Sequence, residues 1–289
     1  GVHRERVCPQ RGGTVESPLI IRAADGETVT VRGSELVGKG WKHLGDSIIS
    51  IPISAIPGGR YHPFLHSQRG FAAEARPWKA SEPTDLLPLV RGQVFVDGHL
   101  VYQVNSVDEV REVANTWIVP EDGEHLVLHL PDGTQIGECK IECSVRHRIF
   151  APEQRNLGYI EIEGICFEHC ANNHPVPQVA AVSTRAGHHW RIENCTIRHA
   201  NTLGLDIGSE WGIEKTPEAS NLGDRDAETL DPEEFTIGYH LIRNNNISDN
   251  GLGGICGLRH WGNRIIGNKI ERNNAIGFRT FEVGASKLH

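Results

Sequence analysis

The chain has 289 residues and a net charge of −8. That length suits one large domain or two around a sizeable core. The acidic balance, with no basic stripe, argues against nucleic acid as a partner, and no run of about 18 apolar residues is present to cross a membrane as a helix. Glycine is abundant at 32 residues and aromatics make up only 6%, as expected of short strands joined by many turns.

In chain order, residues 2–35 read as β structure. Leu19-Ile20-Ile21 is an apolar strand, Asp25-Gly26 a turn, and Val29 and Val31 alternate with polar residues. The character then changes over 36–150, which is broken by Pro52, Pro57, Pro63, Pro77, Pro83 and Pro88. Within it, 93–102 forms a hairpin pattern about Asp97-Gly98. Residues 107–113 form a short helix pattern capped by Ser106, with Glu109 as the capping-box acid. Leu126–Leu130 followed by Asp132-Gly133 reads as another strand and turn. This stretch is expected to be a β-rich module inserted into the rest.

From residue 159 onward a frame recurs: an isoleucine, a hydrophobic five residues on, a glycine twelve on, then a hydrophobic. The copies are Ile192/Ile197/Gly204/Leu205, Ile242/Ile247/Gly254/Ile255 and Ile265/Ile270/Gly277/Phe278. A partial copy starts at Ile160 and Ile165, with Asn172 in the glycine position. Such a period marks stacked coils. It predicts an all-β parallel β-helix whose inward positions carry the isoleucines, an architecture that mostly serves carbohydrate chemistry. Asn245 and Asn268 share an offset between the first two isoleucines, a place where stacked amides can bond up the helix. Cys195 occupies the same offset in the first copy.

The excursion 209–236 holds nine acids, from Glu210 to Glu234, against Lys215 and Arg225. Long loops on a rigid scaffold often carry function. The seven cysteines include Cys139/Cys143 and Cys166/Cys170. That spacing is allowed for zinc, but residues four apart on a strand share a face and can simply pack. Free buried thiols, no metal and no cofactor are expected, a usage that leans towards a reducing compartment. The chain lacks an initial Met and stops at His289 just after a coil. We expect a piece of a longer protein, whose open ends and broad faces offer surfaces for self-association.

Several side chains are candidates for binding. His169, Asn172, Asn173 and His174 form a run rich in hydrogen-bonding groups, either a solvated turn or a pocket wall. Trp261, beside His260, is a candidate sugar platform. His188-His189-Trp190 is either a platform or core. Asp249, within Ser248-Asp249-Asn250-Gly251, reads as a structural turn residue. Gly251–Gly257 lacks the final glycine of a dinucleotide fingerprint and reads as coil bends. Lys287 and His289 alternate on one strand face.

Three stretches carry a resemblance. They are Gly1-Val2-His3-Arg4-Glu5-Arg6-Val7 with Pro9-Gln10-Arg11-Gly12-Gly13 and Val31-Arg32-Gly33-Ser34-Glu35; Gln93-Val94-Phe95-Val96-Asp97-Gly98 with Trp117 and Leu130-Pro131-Asp132-Gly133; and Phe281-Glu282-Val283-Gly284-Ala285-Ser286-Lys287-Leu288-His289. Together they resemble the β-xylosidases of glycoside hydrolase family 120. The resemblance implies a right-handed parallel β-helix of the pectin-lyase-like kind over 1–35 and 151–289, interrupted over 36–150 by a β-sandwich-like module. It implies an exo-acting, retaining glycosidase on oligosaccharides, with two carboxylates about 5–5.5 Å apart. By that analogy the nucleophile and the acid/base lie in coils beyond His289. Glu282 matches a third acid of the sugar pocket, with Lys287 and His289 beside it, and the loop of His169, Asn173 and His174 borders the pocket. A β-helix polysaccharide lyase and a non-catalytic glycan-binding β-helix are the alternatives.

Overall fold

A computed structural model of the protein describes residues 1–59, 62–68, 74–75, 87–173, 179–209, 235–278 and 283–288. Three parallel sheets are built from the two ends of the chain. One has six strands, in the order Val2–His3, Val29–Arg32, Ile165–Cys170, Thr196–Ala200, Asn246–Ser248 and Lys269–Glu271. A five-stranded sheet runs Leu19–Arg22, Ile160–Glu163, Arg191–Glu193, Leu241–Arg243 and Arg264–Ile266. The four-stranded sheet runs Ala180–Ser183, Leu203–Asp206, Gly253–Gly257 and Gly284–Leu288. From residue 160 on, the chain visits the sheets in a fixed rotation, so each circuit stacks on the one before.

Register places like on like. Ile21, Ile162, Ile192, Ile242 and Ile265 form one column. Val31, Phe167, Ile197, Ile247 and Ile270 form a second, and Val182, Leu205 and Ile255 a third. The three columns meet, with Phe150 and Trp190, in a single core. Each fully buried isoleucine contributes about 1.5–3 kcal/mol, and a slip of one residue would turn a whole strand's apolar set outward. Two frame positions are corrected. Ile162 and Phe167, rather than Ile160 and Ile165, stand in register with Ile192 and Ile197. In the third copy Ile255 is met by Ser286, while Phe278 packs with Leu89, Leu203 and Leu252. The chain travels further along its sequence before rejoining the four-stranded sheet, and a fixed spacing cannot register that detour.

The corner between the five- and six-stranded sheets repeats a left-handed residue: Gly164, Asn194, Asn244 and Gly267, with φ of 70°, 55°, 55° and 67°. Only glycine takes this conformation freely, and asparagine tolerates it. One residue on, the expected amide ladder is present. The Asn245 Nδ2 donates to Ile192 O (2.8 Å) and to Asn268 Oδ1 (2.9 Å), and its Oδ1 accepts from the Cys195 N–H (2.9 Å). A second ladder runs beside it. Asn250 Nδ2 donates to Asn273 Oδ1 (3.0 Å), and Asn250 Oδ1 accepts from the Ala200 N–H (3.0 Å).

An eight-stranded sheet breaks the parallel pattern. Its order is Ser34–Leu36, Ile141–Ser144, Val94–Val96, His99–Gln103, Thr116–Ile118, His125–His129, Ile48–Pro52, Lys42–Gly45. All neighbours are antiparallel except His99–Gln103 with Thr116–Ile118. That parallel pair requires a crossover, which the helix Val107–Glu112 supplies. Ser106 caps this helix by accepting from the Glu109 N–H (3.1 Å), and Glu109 accepts from the Asn105 N–H (2.7 Å). The hairpin turn has Asp97 at φ 50° and Gly98 at φ 81°, a two-residue turn matched to strand twist. A separate core, including Ile49, Ile51, Val94, Trp117, Leu126 and Cys143, fills this sheet.

The two cores meet at a polar junction. Arg32, on a coil strand, donates to Glu142 of the eight-stranded sheet (2.9 Å) and to Glu168 (2.7 Å). Arg198 donates to the other Glu168 oxygen (2.8 Å), and Ser34 Oγ donates to Glu142 (3.1 Å). Burial opposes charge on Glu168, but Arg198 and Arg32 prevail and hold its carboxyl below the usual range.

Candidate functional site

The four-stranded sheet gathers the chemistry. Val182, Leu205 and Ile255 belong to the core, so the residues after them project to the opposite face. These are Ser183, Asp206, Cys256 and Lys287, in register across all four strands. Asp206 is fully buried. Its Oδ1 accepts from the Gly208 N–H (2.7 Å) and its Oδ2 from the Cys256 thiol (3.5 Å). Lys287 is half-buried and lies two strands from Asp206, ~10 Å at strand spacing, a gap a lysine can largely bridge. The column thus sets an acid and a base in line along a sheet face.

A cluster of arginines adjoins this sheet. Phe150 bridges to Val182, and its carbonyl accepts from the Ser183 N–H (2.9 Å), so the segment before Phe150 runs beside the first strand. Arg91, Arg148 and Arg185 are buried. Arg185 Nη1 donates to the carbonyls of Pro152 (3.1 Å) and Glu153 (2.7 Å), and Arg91 Nε donates to that of Ser67 (3.2 Å). Loss of water, then the charges of Arg148, Arg6, Arg185 and Arg91, push His147 well below its ordinary pKa. Four arginines thus converge beside His147. Sequence reading missed this cluster and Asp206. The one available signal was the frame itself, since the residue after Leu205 and Ile255 must point away from the core.

The expected site residues fall in different places. Glu282, His289 and His174 lie outside the described residues. Lys287 stands on the four-stranded face. Asn173 is buried at the approach to that sheet, where its carbonyl accepts from the Val179 N–H (3.2 Å) and the Thr202 hydroxyl (3.3 Å). Beside it, Asn172 donates to Val179 O (2.6 Å) and Leu203 O (2.9 Å). The described part of this run is therefore a packed corner rather than a solvated turn. His169 is 1% exposed. Its ring stacks on Phe95 with centroids 3.6 Å apart and planes at 5°, and its Nδ1 lies 3.1 Å from Ser34 Oγ. Burial, then Arg32, holds it well below its ordinary pKa. It belongs to the junction between the two cores and is closed to a sugar. Trp261 is 61% exposed, on the corner that leads to the five-stranded sheet, where its carbonyl accepts from the Tyr239 N–H (2.7 Å). Trp190 is core, with Nε1 donating to Leu157 O (2.7 Å). His189 is sandwiched between Tyr159 and Tyr239 at 5.0 and 5.3 Å. Asp249 pairs with Arg272 of the next coil (2.7 Å), a structural role.

What this arrangement defines as a class is an all-β protein of stacked parallel strands with a charged sheet face. No protein-family model and no curated protein matches the sequence. A solved structure described as the complex structure of XylC with xylose superposes with a TM-score of 0.78 and 22% identity, over 100% of this chain and 50% of that one. A structure described as a glycoside hydrolase gives a TM-score of 0.44 and 14% identity, over 90% of this chain and 70% of that one. The chain shares the all-β fold of the xylose-complexed structure and spans about half the length of the chain it matches there.

Proposed function

We propose that this chain is part of a retaining, exo-acting glycoside hydrolase of the β-xylosidase type, acting on oligosaccharides. The observation that supports it best is the match of the whole chain to the xylose-complexed structure, taken with the placement of Lys287 on the charged sheet face. On this reading the three parallel sheets are the faces of a right-handed parallel β-helix over 1–35 and 151–289, and 36–150 is an inserted β-sandwich-like module. The sugar lies over the four-stranded face. Lys287 binds hydroxyls and keeps neighbouring carboxylates ionised, Glu282 and His289 line the pocket, and Asn173 and His174 border it. Trp261 offers a flat apolar face at the rim. His169 is left out of this set because its ring is enclosed. The nucleophile and the acid/base belong to the part of the enzyme outside this chain, and the reaction uses carboxylates without a cofactor.

The test is release of aryl from an aryl β-xyloside by the longer protein that carries this chain, with the anomer of the first product read by NMR. Retention is expected. Glu282→Gln should lower turnover by about a hundredfold or more, whereas Asp249→Asn should leave it nearly unchanged. Equal, mild effects from both would remove Glu282 from the site, and inversion would reject the retaining mechanism.

A further inference from the structure

The eight-stranded sheet carries a cavity of about 320 Å³, lined by His43, Ser47, Ile49, Leu130, Thr134, Gln135 and Ile136. It contains no residue of the four-stranded face. Its size lies within the range of small-molecule sites. The floor is apolar, because Ile49 and Leu130 are fully buried, and Ile136 forms a wall at 39% exposure. The rim is polar. Ser47 and Gln135 are exposed and Thr134 is half-buried. Their side chains bring a hydroxyl, an amide and a second hydroxyl to one opening, which together donate and accept. His43 Nδ1 accepts from the Gly45 N–H (3.2 Å), so the neutral ring carries its hydrogen on Nε2, as a further donor.

Backbone geometry holds the opening in place. Asp46 and Ser47 both take left-handed φ, 45° and 64°, at a cost of about 1 kcal/mol or more each. That turn presents the Ser47 carbonyl to the Leu130 N–H (3.0 Å), which ties the two sides of the cavity together. The facing turn is closed by the Thr134 N–H on Pro131 O (3.0 Å). No Lys, Arg, Asp or Glu lines the cavity, so neither an anionic nor a cationic ligand is matched. An apolar floor beneath mixed donors and acceptors suits a molecule with one C–H face and a ring of hydroxyls.

We propose that this cavity is a second carbohydrate site, one that takes a single neutral sugar unit on the inserted module. It stands on the cavity alone, so a chain that hydrolyses nothing would leave it intact. The test is saturation-transfer NMR on the whole chain with xylose, glucose and glucuronate, for the unaltered protein, Ser47→Gly/Gln135→Ala, Ile136→Glu and, as a control outside both sites, Asp249→Asn. Glycine accepts the φ of residue 47 freely, and residues 135 and 136 are exposed, so the fold persists, as thermal melting verifies. The expected result is saturable binding of xylose or glucose. It should weaken about tenfold in the first two variants, as loss of hydrogen bonds and of an apolar contact implies, and remain unchanged in Asp249→Asn. The proposal is overturned by no saturable binding of either neutral sugar, by binding indifferent to the cavity variants, by an equal loss in Asp249→Asn, or by preference for glucuronate.

Discussion

Asn245 shows how much one side chain can hold in a stacked fold. Its carboxamide serves a carbonyl and a backbone amide of the coil below and the asparagine of the coil above. The two bonds to the coil below are buried, and the one to Asn268 is part-buried. Asn245→Ala removes one partner from each and leaves buried polar groups unsatisfied, which costs about 1–3 kcal/mol per group, less than additively. A loss of roughly 3 kcal/mol is expected in urea unfolding. Asp249→Asn loosens a partly exposed ion pair with Arg272 and should cost under about 1 kcal/mol. Comparable losses in the two variants would deny the ladder its role. The Asn245–Asn268 ladder was legible because the isoleucine frame supplied its register. The Asn250–Asn273 ladder was not, although it sits at the same offset from Ile247 and Ile270, because Ser248-Asp249-Asn250-Gly251 also reads as a local turn. A turn and a rung use the same residues, and only the neighbouring coil distinguishes them.

Between elements, the junction of Arg32, Glu142, Glu168, Arg198 and His169 is where the two cores communicate. Glu168 and Glu142 are buried; in Arg32→Ala they keep Arg198, and Arg4 with Ser34, respectively, so the loss is that of charged hydrogen bonds, about 1–3 kcal/mol. The expected consequence is earlier melting of the eight-stranded sheet, followed by near-ultraviolet dichroism of Trp117; a melting curve that does not change would contradict it. Buried histidines, at the junction and beside Trp190, also impose a pH dependence. Burial, chiefly, lowers the pKa of His169 and His199, and it lowers that of His240 to about 3. Above about pH 6.5 these groups are neutral in both folded and unfolded chains and contribute no difference. As pH falls below 6.5 the unfolded chain takes up protons that the folded chain refuses, so stability falls with falling pH, by about 1.4 kcal/mol per pH unit for each such histidine. Glu168, with its pKa depressed, adds a further loss only at more acid pH, as the folded carboxylate protonates. His169→Phe should keep the stack on Phe95 and flatten the slope between pH 6.5 and 5; an unaltered slope would reject the assignment. None of this was readable from the local pattern, in which His169 and its neighbours looked like a polar loop. Its enclosure depends on Phe95, which is remote in sequence and belongs to the other sheet.

At the scale of the whole molecule the stack behaves as a one-dimensional array, each coil held by its neighbours. Ile192 and Ile242 are fully buried, whereas Ile265 is half-buried and Ile266 is 43% exposed. In the 289-residue chain on its own, amide exchange should therefore be slowest in Arg191–Glu193 and Leu241–Arg243 and fastest in Arg264–Ile266 and Val2–His3; uniform protection would show that the stack opens as one unit. The strand period and the module's hairpin and helix were legible because they rest on short-range spacing. The arginine cluster was hidden because Arg6, Arg91, Arg148 and Arg185 are dispersed along the chain and meet only through the fold. Bonded partners in adjacent coils lie 30, 50 or 23 residues apart, yet their registers coincide. Doubling the chain between two such partners adds only on the order of 0.6 kcal/mol of closure entropy. Mutation can therefore lengthen, shorten or replace the connection after the four-stranded sheet while leaving the scaffold untouched. Length and composition can drift there as in an interchangeable cassette, long after the core has stopped tolerating change.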